Sequence, residues 1–431
     1  MTGDNKRNTR QGTDPDQMPS PSTKQGKNAA RRAITKQDQV RVQIEVHCRC
    51  QDPKPALPNL PEHRREQDPR AQKERAASTA PRDPSSAGAT HRPVRVVLVT
   101  GSSGLLGHHV VRELQSHPIV QEVRLFDIRP FENGMGHPIS KTMRHVVANL
   151  CDAQAVREAV SGADAVIHCA SMVPVTVVED AEAFEKVNVQ GTRNVVDACV
   201  EESVPYLVYT GSVGVIQDGN RQAYDGPYAR TKAQAEKMVL EASGCLLKNG
   251  LHRLHTFVIR LLPLYGELDQ VFIPKMITWS RRTWKIMLRP GKTFSAIYAG
   301  NAASIHIRAL DALCEDATLS GRCIVAADDT PTDSAAFMAP LVAGHDIRVT
   351  DKAVPYPVAL TFAACTTGVA RLLAKVFPGI RAAILLRPSD IRYIYSGTVF
   401  DKSEAEDVLA WRPKYSPQEA VKMSRSFYDA V

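Results

Sequence analysis

A tyrosine and a lysine stand four residues apart in the run DGPYARTK, at Tyr228 and Lys232. A helix has 3.6 residues per turn, so both side chains leave one face and reach the same cleft. A phenol titrates near 10 in isolation and is a poor base at neutral pH, whereas a nearby ammonium favours the phenolate. Paired in this way, Tyr228 can accept the proton of an alcohol while hydride leaves the adjacent carbon. Just upstream, YLVYTGS reads as a buried strand that delivers Thr210 and Ser212 at its carboxyl end, the end where ligands of parallel sheets bind. The hydroxyl of Ser212 is the candidate donor to the substrate oxygen. Spacing alone also fits an ordinary surface helix, and the neighbouring elements decide between the two.

Those elements alternate in the βα manner. Short β-branched runs at 94–100, 123–128, 145–150, 165–171, 206–212 and 256–262 are separated by stretches of helical period. Their hydrophobicity is continuous rather than alternating, which implies burial on both faces and therefore a parallel sheet covered by helices. The expected fold class is α/β, a doubly wound parallel (Rossmann) sheet. Between the first two runs, VTGSSGLLG closes a strand and opens a helix with Gly101, Gly104 and Gly107, where backbone amides approach a pyrophosphate. Ser103 and Leu105 complete that turn. Asp127, at the end of the second run, can accept both adenosine ribose hydroxyls and repel a 2′-phosphate, so the cofactor expected is NAD, with Arg129 two residues on as the counterweight.

The charge balance limits the partners. The chain of 431 residues has a net charge of +8, but residues 1–92 hold 18 Lys/Arg against 11 Asp/Glu, which leaves 36 against 35 for the rest. A nearly neutral folded part gives no electrostatic footprint for nucleic acid. The first 92 residues are rich in Pro, Gln, Arg and Ser, only 39–48 alternates like a strand, and a disordered tail is expected. It lacks the apolar core of a signal peptide and carries too many acids for a mitochondrial presequence. Nine scattered cysteines fit reduced thiols, and Cys48 and Cys50 alone give no metal site. The organisation expected is a tail at 1–92, a cofactor-binding domain with the catalytic residues at 93–262, and a substrate-capping region at 263–431.

In order and spacing, TGSSGLLG, the strand end at Asp127, VIHCAS, VNVQGTRNVVDAC, YTGS, YARTK, the Arg260 to Gly266 segment, YAGNAASIH and AADDTP resemble the extended short-chain dehydrogenase/reductase superfamily. The resemblance is closer still to the 3β-hydroxysteroid dehydrogenase/Δ5-Δ4 isomerase family. It implies Ser212, Tyr228 and Lys232 as the catalytic set, with Asn188 in a helix behind them. For the cofactor it implies Gly101 to Gly107, Asp127, Asn149, Leu150 and Ala170, together with Tyr228 and Lys232, and no metal. Asn301 and His306 match a motif whose expected role is structural. Four departures stand out: Gly211 in place of the hydroxyl before the serine, Leu261 in place of a proline, Asn149 in place of an acid, and Gly214 in place of a glutamate.

By the same resemblance the substrate is a steroid or sterol whose 3β-hydroxyl is oxidised, with or without double-bond migration. The alternatives are another hydroxylated substrate of the superfamily, such as a 4-carboxysterol, a flavonoid-type ketone or a nucleotide sugar, and a cofactor-binding scaffold without turnover. A homodimer is among the expected assemblies. Residues 271–292 carry six basic residues and no acid, interleaved with Trp279, Trp284 and aliphatics, which reads either as an amphipathic lid touching a membrane or as a lid with a solvated basic face. Residues 354–370 are uncharged but contain Pro355 and Pro357, so peripheral or monotopic contact is expected ahead of a span, at the cytosolic face of the endoplasmic reticulum or else in the cytoplasm.

Overall fold

The structure is a computed structural model that describes residues 93–431 apart from 176–178, 219–220, 223–225, 283, 290, 292 and 378–385. The expected tail, its strand-like stretch at 39–48 and Cys48 and Cys50 lie outside the described residues.

Seven strands form one sheet: β1 Val96–Thr100, β2 Glu122–Asp127, β3 Thr142–Val147, β4 Ala165–His168, β5 Tyr206–Ser212, β6 His255–Leu261 and β7 Arg322–Ala326. Their order across the sheet is β7-β6-β5-β4-β1-β2-β3 and every pairing is parallel. The expected doubly wound fold is therefore present. Because β1 is flanked by β2 and β4, the order in which strands are added reverses beside it, and a crevice opens at the carboxyl ends of β1 and β4. The helices are α1 Leu105–Gln115, α2 Ala153–Val160, α3 at 181–201, α4 Pro227–Glu241, α5 Ile273–Arg282, α6 Ala299–Glu315, α7 Ser334–Val342, α8 Tyr356–Val376, α9 Pro388–Ser396, α10 Ser403–Leu409 and α11 Pro417–Asp429.

Alternate strand residues feed two cores. Val97, Val99, Ile167 and Val208 pack on one face with α1, α6 and α10, while Leu98, Val166, Leu207 and Val258 pack on the other with α2, α3 and α4. Double-sided burial is what continuous hydrophobicity in the strands requires. A third core, built by α5, α7, α11 and the Ile297–Tyr298 strand, belongs to the cap.

Three features depart from the sequence reading. The sheet does not end at Leu262, since α6 packs on it and β7 adds a seventh strand beside β6. The third strand runs from Thr142 to Val147 rather than from His145 to Leu150, because an edge strand is half exposed and its uncharged end is the turn that follows. Pro355 and Pro357 do not interrupt the apolar segment: they stand at the N-cap and first turn of α8, where a missing N–H costs nothing, and the helix then continues to Val376.

The final helix secures the cap. The Tyr428 hydroxyl, fully buried, accepts from the Gly266 amide at 2.8 Å and donates to Asp269 Oδ2 at 3.2 Å, and Asp269 in turn accepts the amides of Val271, Phe272 and Ile273 at the start of α5. Tyr428→Phe leaves a buried amide without its acceptor, and such losses cost about 1–3 kcal/mol. Chemical denaturation of the two proteins should show this loss, and an unchanged midpoint would mean that the hydroxyl contributes nothing.

Candidate active site

The turn after β1 brings the backbone close to any bound group. Gly101 has φ +71°, and a Cβ there would stand 2.7 Å from the backbone of Ala170, while one on Gly107 would lie 2.1 Å from the Gly101 carbonyl. Only glycines permit this approach of helix to strand. The N-cap of α1, Gly104, has no side-chain cap, so the first-turn amides face the cleft with the positive end of the helix dipole. Asp127 Oδ2 accepts from the Ser103 amide and Oδ1 from the Arg129 amide, both at 3.1 Å. Arg129 folds back to donate to the Ser103 carbonyl at 3.0 Å and keeps its Nε 4.0 Å from Asp127. A carboxylate and a guanidinium thus stand together at the glycine turn, with Arg129 lining the cleft and Asp127 held behind it by two backbone amides. The residues fit a dinucleotide.

The cleft measures about 960 Å³ and runs from Gly101, Ser103, Gly104, Leu105 and Gly107 to Ser212, Tyr228 and Lys232. Asp127, Asn149, Leu150 and Ala170 do not line it. The side chain of Asn149 is exposed and accepts from the Cys151 amide at 2.9 Å, Leu150 is buried in the core of the opposite face, and Ala170 backs the Gly101 turn.

Ser212 ends β5 and caps the short turn that follows, accepting from the Gly214 amide at 3.1 Å. Tyr228 opens α4 behind Pro227 at the first helical position. Its phenol is pushed up by burial and pulled back by a hydrogen bond with Ser212 and by the positive charge of Arg387, with a net rise. Lys232, one turn on, is 2% exposed; its Nζ donates to the Thr210 carbonyl at 2.6 Å and lies 4.3 Å from the centre of the Tyr209 ring. Burial lowers the Lys232 pKa to about 8 against the support of Glu236, so the ammonium keeps its proton at neutral pH.

Supporting residues fix this arrangement. Glu236, one further turn along α4, is bidentate with Arg260 of β6 at 2.5–3.1 Å, and a Cβ on Gly211 would stand 3.0 Å from its Oε2. The departure at Gly211 therefore has a steric reason. Residues 185–190 of α3 are wound as a π-helix, and Asn188 there accepts from the Met172 amide at 2.7 Å and donates to Thr231 Oγ1 at 3.2 Å, tying α3 to α4 behind the catalytic face. His306, held neutral at about 4 by burial, bonds Thr210 Oγ1 at 2.9 Å. Asn301 bridges Asp328 and the Tyr415 backbone, the structural part expected of it. Sequence reasoning missed Arg387 and counted Lys275 only among the basic residues of 271–292, yet both cations line the cleft.

A glycine turn on a switch-point crevice, with a serine, a tyrosine and a lysine at its floor, defines the extended short-chain dehydrogenase/reductase class. The 3-beta hydroxysteroid dehydrogenase/isomerase family matches residues 98–357, and the chain belongs to that family of NAD-dependent oxidoreductases acting on CH–OH groups. The chain is 35% identical over 251 residues to mouse 3 beta-hydroxysteroid dehydrogenase type 7, an alignment covering 53% of this chain and 67% of that one. Two solved structures share the fold at low identity. The UDP-glucose 4-epimerase of Thermus thermophilus, in complex with NAD, has a TM-score of 0.50 and 19% identity over 77% of this chain and 98% of its own. The Bordetella bronchiseptica enzyme WbmF, in complex with NAD+, has a TM-score of 0.54 and 16% identity over 78% and 93%.

Asp127→Ala should weaken NAD about tenfold and narrow its advantage over NADP, since a ribose hydroxyl loses a charged acceptor worth roughly 1.5–3 kcal/mol. Fluorescence titration of both cofactors checks this. Tighter binding of NADP by the unaltered protein would show that Arg129 governs the pocket.

Proposed function

We propose that the protein oxidises the 3β-hydroxyl of a steroid or sterol to the ketone. The observation that carries the proposal is the placement of Ser212, Tyr228 and Lys232 at one end of a large, mainly apolar cleft whose other end is the glycine turn. Ligand pockets of ~300–1,000 Å³ hold a drug-sized molecule, so this volume suits a rigid apolar substrate beside the cofactor. NAD, when bound, accepts the hydride. Ser212 orients the substrate oxygen, and the Tyr228 phenolate takes its proton as the O–H bond breaks and the C=O bond forms. Lys232 supplies a fixed positive charge beneath the floor and a donor for the nicotinamide ribose. Where the substrate carries a Δ5 double bond, the new ketone acidifies the intervening C–H, and migration to the conjugated enone follows in the same cleft.

Contact with the cytosolic face of the endoplasmic reticulum membrane is part of the proposal. Among the described residues, α8 is the one helix long and apolar enough to cross a bilayer, and it leaves Val358, Phe362, Val369 and Leu372 exposed. The Trp279 ring of α5 packs edge-on against Phe362 at 6.4 Å, so the two segments singled out in the sequence make one apolar surface. Arg281 and Arg282 end α5 and Lys285 follows it, all three exposed, and a basic stretch of this kind suits an anionic interface. The described cysteines are all free thiols, in keeping with a reducing compartment.

Tyr228→Phe should lower turnover of a 3β-hydroxysteroid with NAD by roughly 10²–10⁴-fold while cofactor affinity stays within a few fold. Absorbance of reduced cofactor, with enone absorbance for the second step, measures both reactions. Near-normal turnover would remove Tyr228 from the mechanism, and turnover confined to a nucleotide sugar would replace the substrate class. Because the Trp279 and Phe362 surfaces are joined, Trp279→Ser with Trp284→Ser, or Leu360→Asp with Phe362→Asp, should each reduce flotation with anionic vesicles. Flotation of both variants at the level of the unaltered protein would dispose of the membrane contact.

A further inference from the structure

The phenol of Tyr228 has a second cationic neighbour that no local pattern announces. Arg387 enters the cleft from the C-terminal region, immediately ahead of α9, and lines it together with Tyr228 and Ser212. Its guanidinium is pinned from two sides. Nη1 pairs with Glu179, in the loop between β4 and α3, and Nη2 and Nε pair with Asp390 at 2.8 and 3.1 Å. The Glu179 carboxylate in turn lies beside the start of α4, since a Cβ on Gly226 would stand 3.3 Å from its Oε2. Arg387 and Glu179 thus join the C-terminal region to the N-terminus of the very helix that carries Tyr228, and their side chains are only 18% and 15% exposed.

We propose that Arg387 is a positioning residue for the proton transfer: its guanidinium sets the electric field at the Tyr228 hydroxyl, and Glu179 sets how much of that positive charge the phenol feels. The inference rests on Tyr228 being the proton acceptor. Opposite charges within a few ångströms favour the ionised phenol, whereas a carboxylate beside the cation cancels part of the effect. Other polar and charged groups around the phenol differ in kind. Ser212 offers a hydroxyl, Tyr209 a buried phenol, and Lys232 is turned toward the Thr210 carbonyl. Cys169, on the segment after β4, is held as a thiol by burial, with its pKa at about 12. Lys275 of α5 donates to the Val175 carbonyl at 3.1 Å and is lowered by burial and by Arg387. Asp390 belongs to the Arg387 cluster itself, and Asp269 faces Lys275. Among these, Arg387 is the cation that pulls the phenol down.

The two partners predict opposite signs, which a purely structural ion pair does not. Arg387→Gln removes the cation and should move the acid limb of the pH profile of kcat/KM to higher pH by about one unit. Glu179→Gln removes the screening anion and should move it to lower pH. Arg387→Lys should restore most of the unaltered profile. Ultraviolet difference titration of phenol ionisation, with Tyr228→Phe as the blank, reads the same shifts without any substrate. If both substitutions displace the limb in one direction, or lower only the melting temperature with the limb unmoved, Arg387 and Glu179 are a latch and the proposal falls. If Tyr228→Phe turns over normally, or removes no titration signal, it is the proton-acceptor reading that fails instead.

Discussion

A buried ammonium sets the terms for the rest of the site. Withdrawing a charge from water costs several kcal/mol even after relaxation, and Lys232 is withdrawn almost completely. The cost is offset by a short bond to a strand carbonyl, by the face of Tyr209, and by Glu236 one turn along the helix. Each of these imposes something further. The carbonyl must end β5 at the right height. Glu236 must itself be neutralised, which fixes Arg260 on the neighbouring strand and makes a tight fit for any side chain at residue 211. A small network of charges therefore dictates the spacing of β5, β6 and α4 before any cofactor is considered.

Much of this was legible in the sequence because it is local. The glycine turn, the strand end at Asp127 and the four-residue spacing of Tyr228 and Lys232 are each written within one βα unit, and helix or strand geometry converts spacing into direction. Residues joined through space were not legible. Arg387 follows Tyr228 by more than 150 residues and stands in no periodic pattern, so neither its approach nor its pairing with Glu179 could be foreseen. The same holds for β7, which returns to the sheet after the cap has begun, and for the contact of Trp279 with Phe362. The prolines ahead of α8 misled in a different way, because a breaker in mid-helix is a starter at the first turn. Asn149 and Leu150 were placed by resemblance, and neither lines the cleft: beyond the end of β3 one is exposed and the other is buried in the core of the opposite face.

The cap divides its work between holding and exposing. Its own core gathers Tyr265, Tyr298, Phe337 and Tyr428, all buried, whereas α8 turns aliphatic and aromatic side chains outward. In water such a face is a liability, and a bilayer would convert the same area into attachment. Since α5 contributes Lys275 to the cleft and Trp279 to that face, one helix connects substrate wall and surface.

The buried hydroxyl of Tyr428 also orders events in time. The segment it secures, residues 266–273, is made about 155 residues ahead of its anchor at Tyr428 (428 − 273). At ~5–20 residues per second, translation takes roughly 8–30 seconds to cover that interval. During it the Rossmann sheet can close around its own helices, while the apolar walls of the substrate half wait without their last partner. The nascent chain thus passes through a stage in which the glycine turn and its sheet are already made while the apolar core of the cap still lacks Tyr428 and the bond that closes it.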